Sequence, residues 1–417
     1  MAHATARARI ACLVLAGALP ASASAQWSPS FTFGGYGTLG VVRSDNREAD
    51  YLADAFKPNG PGFTREWSAD VDSRVGVQGT VDFGNRLSAV VQVLAQQRHD
   101  DTYKPVVEWA NVKYDVTPDL SVRVGRVVLP IFMVTDSRRV GYANPWVRPP
   151  VEMYSMVPVT TSDGADASYR MRLGSVAATL QVTAGRSSSD FPSSSGFDAG
   201  TAEGRKLLAA NLVLEHGPLT TRVSYGNARL TIEALNPFFD AFRQFGPAGV
   251  AIADRNHVND RRATFVGLGA SYDPGRWFAT AEWAEFNTRS VVGKKRAWYV
   301  SGGPRLGKLT PYATYARIDS EGDVTDPGLP LAGLPPQLVP VAATLNAALN
   351  MQLGAAPQQE TLSIGARWDF LRNAALKIQY DHVRLAQESR GTFGNIQPGF
   401  RTGSRVRLFS LAVDFIF

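Results

Sequence analysis

Cysteine is almost absent from this chain of 417 residues, because Cys12 is its one cysteine and lies in a segment that we expect to be removed. A mature chain without cysteine has no disulfide, no thiol nucleophile and no cysteine metal site. Histidine is also scarce, and the histidines after that segment stand at no metal-ligand spacing: His99, His216, His257 and His382. We find no HExxH motif and no catalytic spacing of serine, histidine and acid. We therefore expect neither enzyme activity nor a cofactor.

Long apolar runs are missing as well. Residues 328–359 carry no charge, but five prolines and several amide side chains interrupt them. A bilayer helix needs about 20 predominantly apolar residues. Apolar side chains in this stretch recur at helical spacing, at Leu338, Val341, Leu345 and Leu349. The pattern favours a short amphipathic helix in a loop over a membrane span.

Charge is limited in amount and in imbalance. Only 19% of the residues are charged, which is too few for an intrinsically disordered chain. Without Arg7 and Arg9, which belong to the expected signal segment, 41 basic residues face 37 acidic ones. This mild excess, with no basic run, argues against nucleic acid as a partner.

The first 25 residues have the features of a secretory signal peptide. Arg7 and Arg9 supply the basic region, and residues 10–19 form an apolar stretch too short to span a bilayer. Ala23, Ser24 and Ala25 give the small-residue cleavage pattern. We expect export through the Sec pathway and a mature chain that starts at Gln26. The alternative is that the segment stays in place as an N-terminal anchor.

Alternation with a period of two residues dominates the rest of the chain. In residues 176–184, for example, one face carries valine, alanine and leucine while the other carries threonine and glutamine. This alternation predicts strands with one apolar and one polar face. The sixteen expected strands are 31–43, 65–83, 86–97, 106–116, 119–128, 163–173, 175–186, 206–215, 218–230, 262–272, 275–288, 295–303, 308–318, 360–370, 374–386 and 404–417.

The connections between these strands alternate in length. Short turns rich in Gly, Pro, Asn or Asp alternate with mostly longer connections, of which the longest are 44–64, 129–162, 187–205, 231–261, 319–359 and 387–403. Long loops at one end and short turns at the other are typical of outer-membrane barrels. We therefore expect an all-β protein, a transmembrane antiparallel β-barrel of 16 strands, with residues 26–417 forming a single domain.

The C-terminal strand carries the most specific motif. Its apolar residues occupy alternate positions and the chain ends on an aromatic ring: Phe409, Leu411, Val413, Phe415 and Phe417. This pattern resembles the terminal strand of Gram-negative outer-membrane barrels. The resemblance implies that the barrel assembly machinery reads these residues as an assembly signal and that the protein resides in outer-membrane lipid.

The whole mature chain resembles the sixteen-stranded proteobacterial porins. The resemblance rests on the Gly/aromatic opening strand at 31–40, the terminal Phe, and the long insertion 129–162 after strand five. It implies periplasmic short turns, extracellular long loops, a homotrimer, and a loop after strand five that folds inward and narrows the pore. The insertion lacks the acidic signature usual in general porins of enteric bacteria.

By the same resemblance, basic residues on the wall face acidic residues on the constriction loop across the pore. The candidates are Arg74, Lys113 and Arg123 on the wall, with Asp136 and Glu152 on the loop. Three loop arginines, Arg138, Arg139 and Arg148, would shift the pore toward anions, since arginine suits carboxylates and phosphates. The alternative is that they pair with Asp136, Glu152 or Asp163 and hold the loop down.

These patterns predict a water-filled porin for passive diffusion of small hydrophilic solutes and ions, with a weak preference for anions. One alternative is a channel specific for organic anions or phosphate. Another is a non-transport barrel that acts as an adhesin or structural protein through its long loops.

Aromatic rings that share strand faces with aliphatic residues are expected in the interfacial girdles of the barrel: Trp277, Trp283, Tyr312, Trp368 and Tyr380.

Overall fold

The computed structural model describes residues 29–193, 199–322 and 325–417. The expected signal peptide, its cleavage site and Cys12 lie outside these residues. No helix in the described ranges has the length and apolar character that a bilayer crossing requires.

Sixteen long strands in the described residues form one closed antiparallel barrel, which confirms the predicted fold class. Each strand pairs with the next along the chain, and the last pairs with the first. They are β1 (Ser30–Ser44), β2 (Arg74–Gly84), β3 (Leu87–Gln96), β4 (Val106–Asp115), β5 (Leu120–Val128), β6 (Thr161–Leu173), β7 (Val176–Phe191), β8 (Gly200–His216), β9 (Leu219–Ile232), β10 (Arg261–Tyr272), β11 (Trp277–Thr288), β12 (Lys294–Pro304), β13 (Leu309–Glu321), β14 (Gln359–Leu371), β15 (Ala374–Leu385) and β16 (Arg405–Ile416).

The barrel closes at a seam in which β1 serves two neighbours. The first part of β1 pairs with β2, from Ser30 opposite Asp82 to Thr38 opposite Arg74. Its last part pairs with β16, ending with Ser44 opposite Leu408. Closure leaves no free edge, so every strand can satisfy its backbone hydrogen bonds within the protein, as hydrocarbon surroundings require.

The structure departs from the expected strand boundaries in two places. The span 65–83 is interrupted by a turn at 70–72: a two-residue strand, Trp67–Ser68, pairs with β1, and β2 starts only at Arg74. The expected long loop 187–205 is mostly a hairpin, because β7 and β8 extend to leave only 192–199 between them. The added parts of β7 and β8 pair with each other, although their sequence lies beyond the stretch that shows clear alternation.

Helices occur in the long connections. A helix is present in 328–359 as predicted, at Val339–Leu353, but its expected apolar face is only partly correct: Leu349 is buried, whereas Leu338 and Val341 are exposed. The connection from β9 to β10 contains two helices that we did not predict, Asn236–Arg243 and Gly246–Asn256. The three helices share one apolar cluster, in which Phe239, Phe242, Ile252, Ala342 and Leu349 are all buried. Two further short helical segments, Gly141–Ala143 and Val151–Tyr154, lie in the connection from β5 to β6.

Most aromatic residues expected on the outer surface are there. Trp277, Trp368 and Tyr380 are exposed. Tyr312 is a correction, because it is buried inside the barrel and its hydroxyl donates to Gln379 Oε1 at 2.8 Å. A tyrosine is compatible with either face of a strand, so alternation alone did not fix its direction.

The seam depends on a small residue at Gly35. Its N–H and C=O both bond to the backbone of Phe417, at 2.9 and 3.0 Å. A Cβ at this position would lie 2.7 Å from the carbonyl oxygen of Gly76 and 2.4 Å from the Phe417 ring. Glycine is therefore needed here for the close approach of β1, β2 and the C-terminus.

We expect Gly35→Ala to impair barrel closure, with a loss of about 1–3 kcal/mol of unfolding free energy from the overpacked contact. The measurement is the yield of the heat-modifiable band on cold SDS gels after refolding. Gly79→Ala is the matched control, since a Cβ on this neighbouring strand meets no atom within 4 Å. Equal refolding yields for the two variants would contradict the close-approach argument.

Candidate functional site

The connection between β5 and β6, residues 129–160, enters the barrel; we call it the constriction loop. The Tyr142 hydroxyl donates at 2.7 Å to the carbonyl of Arg372, which lies in the short turn between β14 and β15. The loop starts and ends at the opposite, long-loop end of the barrel. It therefore descends through the lumen to the level of the short turns.

One flank of the constriction loop is packed as an apolar core against the inner wall. Phe132, Trp146 and Tyr154 are buried together with Phe265 and Tyr299 of the wall. The Phe132 ring meets Phe265 edge-on, and Trp146 meets Tyr299 in the same way. The loop consequently fills the lumen on the side of strands β10 to β13 rather than hanging free.

Arg148 fixes the loop to the wall. Its Nε and Nη2 donate to the two carboxylate oxygens of Asp72 at 2.9 and 2.6 Å. Nη2 also donates to Ser410 Oγ at 2.8 Å, and Asp381 lies 3.4 Å away. The Arg148 side chain is 5% exposed and that of Asp72 is fully buried. This buried fork joins the loop to β15, β16 and the segment before β2.

A second buried pair fixes the loop at the seam. Lys377 on β15 and Asp414 on β16 lie 2.7 Å apart, both without exposed side-chain surface. Lys377 Nζ also donates to the carbonyls of Gly141 and Trp146, at 2.7 and 2.8 Å. Thr38 on β1 donates to Asp414 at 2.5 Å. The lysine thus links the loop to the closing strands.

Two more of the predicted loop residues make buried contacts. Glu152 accepts hydrogen bonds from Gln359, at 2.6 Å, and from Thr361, both on β14. The Arg138 guanidinium donates to the Tyr154 carbonyl at 2.6 Å and lies over the Phe132 and Tyr154 rings. The expected partners of the loop arginines, Asp136, Glu152 and Asp163, are therefore not those of Arg138 or Arg148. Arg138 donates to backbone carbonyls instead, and Arg148 pairs with Asp72 and Asp381.

The other flank of the loop presents charge to the lumen. The Asp136 side chain is 68% exposed, and its carboxylate lies 3.9 Å from Arg222 on β9. Arg139 donates to Gln96 on β3 at 3.3 Å and lies 3.8 Å from Glu108 on β4. Arg139 and Arg74 are near enough for their positive charges to interact.

The wall opposite this flank is polar, and its charges are largely paired within the wall. Arg123 on β5 makes a two-pronged contact with Asp166 on β6, at 2.9 and 2.5 Å. Lys113 lies 2.8 Å from Asp115 on the same strand. Arg74 Nε donates to the backbone carbonyl of Asp72 at 3.0 Å. We call the inner face of β2 to β7, with these residues and with Gln92, Asn111 and Gln181, the polar wall.

The structure thus divides the predicted pore residues into two groups. Arg138, Arg148 and Glu152 lie within the packed loop, whereas Asp136, Arg139, Arg74, Lys113 and Arg123 border the lumen. Asp72, Lys377, Asp381 and Asp414 anchor the loop, and we named none of them as site residues. The expected strands placed these residues on the inner face, but alternation does not show which inward-facing charge contacts the loop.

The proposed assembly-signal residues lie on one face of β16. Phe409 and Phe417 are exposed and Leu411, Val413 and Phe415 are partly exposed, whereas Ser410, Ala412 and Asp414 between them are buried, so the five face outward. The Phe415 and Phe417 rings stack at 6.4 Å beside β1. Among the described residues, no group of three or more His, Cys, Asp or Glu side chains is arranged to hold a metal ion.

The comparison with known families decides the affiliation. The family model described as Gram-negative porin matches residues 11–401. The chain belongs to the Gram-negative porin family. No curated protein matches it in sequence. The porin is an outer-membrane channel for small solutes.

Solved porin structures share the fold at low sequence identity. The anion-selective porin from Comamonas acidovorans is 13% identical, covers 94% of this chain and 100% of its own, and has a TM-score of 0.52. The outer-membrane channel DcaP of Acinetobacter baumannii is 12% identical, with coverages of 93% and 97% and a TM-score of 0.55. Salmonella typhi OmpF, in complex with daunomycin, is 12% identical, with coverages of 93% and 97% and a TM-score of 0.51. At these identities the likeness shows the fold alone.

Proposed function

We propose that this porin conducts small hydrophilic solutes and ions by passive diffusion between the constriction loop and the polar wall. The observation that carries the proposal is the two-sided character of the loop. One flank is buried in an apolar core, while outside it Asp136 lies exposed near Arg222 of β9 and Arg139 contacts β3 and β4 of the polar wall. A passage bordered by paired, hydrated charges admits water and filters solutes by size and polarity.

The proposal includes a weak preference for anions. Arg139 and Arg74 stand near each other, and the nearest acid of Arg74, Asp72, is already engaged by Arg148. Glu108 is the acid closest to Arg139, at 3.8 Å. Two guanidinium groups with partial compensation produce a positive potential, which raises the local concentration of anions.

Export by a signal peptide that ends at Ala25, insertion by the barrel assembly machinery and assembly as a homotrimer complete the proposal. The outward row that ends at Phe417 supports the second step. Aromatic side chains on the lipid-facing surface, such as Trp277 and Trp368, support residence in the bilayer.

Single-channel conductance in a planar bilayer tests the proposed diffusion. Stable open steps of the refolded protein are expected, and a KCl gradient should give a reversal potential of the sign that chloride preference produces. A correctly folded barrel without any open steps would contradict the diffusion proposal and favour a role for the long loops in adhesion.

We expect Arg139→Gln to lower the chloride-to-potassium permeability ratio by about twofold, because it removes one of two neighbouring positive charges at the passage. The reversal potential in a KCl gradient measures this ratio. Arg384→Gln is the control: Arg384 also pairs with a glutamate, Glu360, but its side chain is 55% exposed, away from the loop. An equal shift of the reversal potential in both variants would show that Arg139 contributes no more to the electric field of the passage than an arginine distant from the loop.

A further inference from the structure

A cavity of about 470 Å³ lies at the long-loop end of the barrel, above the constriction loop. Its floor is formed by 129–131 and 155–159 of the loop, and its side by the inner face of β8 to β12. Residues 52–58, 352–357 and 390–395 from three other long connections surround it. Ligand pockets commonly measure about 300–1,000 Å³, so the space suits a small organic molecule.

The side of this cavity is apolar where a simple aqueous pore would be polar. Leu207, Phe265 and Phe286 project inward from β8, β10 and β11, and Ile131 rises from the loop. A bulge contributes to this: the pairing of β8 shifts between Arg205 and Leu208, so Gly204 and Leu207 are both buried on the inner side. Such a surface gains by removing the apolar part of a solute from water.

Positive charge is in excess around the cavity. Among the described residues that line it, Lys57, Lys295 and Arg390 are cationic and Asp54 is the one acid. Lys57 is already engaged, since it donates to the Gln97 carbonyl at 2.5 Å. Burial lowers the pKa of Lys57 to about 8, while Asp54 acts in the opposite direction.

The other two cations have no partner among the described side chains and backbone groups. Within residues 29–193, 199–322 and 325–417, no side-chain hydrogen bond or ion pair is made by Lys295 or Arg390. Burial without a nearby acid lowers the pKa of Arg390. A half-buried cation in apolar surroundings is costly unless an anion joins it. Both groups therefore offer charge-assisted hydrogen bonds to an incoming carboxylate.

We infer that this cavity is a binding site for amphipathic organic anions, in which an aliphatic or aromatic body lies against Leu207, Phe265 and Phe286 and a carboxylate meets Lys295 and Arg390. The inference rests on the proposed function, because a solute held above the constriction loop is one about to pass it. Binding there raises the concentration of such solutes at the passage and favours them over inorganic ions of the same charge.

The test uses 3-phenylpropionate as the probe and the full-length mature barrel in lipid nanodiscs, which avoids free detergent in an apolar cavity. Isothermal titration, corrected with empty nanodiscs, gives the Kd. We expect saturable binding that is at least tenfold tighter than that of acetate, which lacks the apolar body, and of 2-phenylethylammonium, which carries the opposite charge. Equal affinity for the ammonium compound would overturn the inference.

Variants locate the site. We expect the double variant Lys295→Gln, Arg390→Gln to weaken 3-phenylpropionate binding at least tenfold, and Phe286→Ala to weaken it about threefold. Lys294→Gln is the matched control, since the neighbouring Lys294 is already paired with Glu285 and Glu321. An unchanged Kd in the double variant, or an equal loss in the control, would overturn the assignment of the site.

Conductance separates this inference from the proposed function. Open steps in KCl that 3-phenylpropionate reduces in a concentration-dependent way, when added on the long-loop side, support both. Open steps that the probe leaves unchanged, together with no binding heat, overturn the anion site and leave the channel intact. Absence of open steps in a folded barrel overturns the channel itself, whatever the titration shows.

Discussion

Replacing Arg148 with methionine is expected to free the constriction loop and raise single-channel conductance. The substitution keeps side-chain length but removes the buried cation that Asp72 and Asp381 share, which leaves Asp72 only the more distant Arg74, at 3.9 Å. Removing one partner of a buried pair costs about 3–5 kcal/mol, because the remaining charge stays desolvated. We expect that loss in the unfolding free energy in urea, along with larger and noisier open steps in planar bilayers.

Arg126→Met is the matched control for Arg148→Met. Arg126 makes the same two-pronged contact, with Asp163 at 2.7 and 3.0 Å, but both side chains are about 40% exposed. Such a pair contributes about 0–1 kcal/mol, and the variant should leave conductance unchanged. The double variant Asp72→Asn, Arg148→Met should recover part of the stability while the loop stays free. Wild-type conductance and stability in Arg148→Met would refute the anchoring role.

Replacing Lys377 with methionine is expected to weaken the loop and the seam together. Asp414 would lose its cation in a site without exposed surface, and the carbonyls of Gly141 and Trp146 would each lose a donor. We expect a loss of about 3–5 kcal/mol. The folded band on SDS gels should convert to the unfolded one at a lower temperature than in the wild type.

Lys113→Met is the control for Lys377→Met, because Lys113 lies just as close to its partner, Asp115, at 2.8 Å, but both side chains are 38–40% exposed. We expect a change within about 1 kcal/mol. The double variant Lys377→Met, Asp414→Asn should regain most of the lost thermal resistance, since no buried charge is left unpaired. If it melts as early as the single variant, the loss comes from the contacts to the loop rather than from the aspartate.

Much of the fold could be predicted from the sequence because a lipid-facing barrel imposes its alternation on every strand. Most of the sixteen spans agree with the structure within about two residues. The expected strand boundaries were wrong where the alternating pattern stops but the strand pairing continues, as in the extension of β7 and β8 into 187–205. The helix at Asn236–Arg243 had a visible signal, since Phe239 and Phe242 recur at helical spacing and are buried.

The site could be predicted only in outline. The insertion after β5 and its basic residues were evident, and alternation placed Arg74 and Arg123 on the inner face. The partners of Arg148 were not evident, because Asp72 and Asp381 lie 76 and 233 residues away in sequence and approach Arg148 only after the barrel has closed. The apolar side of the cavity was missed for another reason: the β8 bulge changes which residues point inward, and a period-two pattern cannot show a bulge.

The hydrogen bond from Thr38 to Asp414 joins residues 376 positions apart. Bringing such distant segments together carries a large loop-closure entropy, and no contact of the seam offsets it until both ends of the chain have arrived. Folding is therefore slow and depends on non-local pairing, whereas unfolding must break a closed ring before any strand can leave. This porin should show marked hysteresis between its refolding and unfolding curves, and its persistence in the membrane is a matter of rates more than of equilibrium.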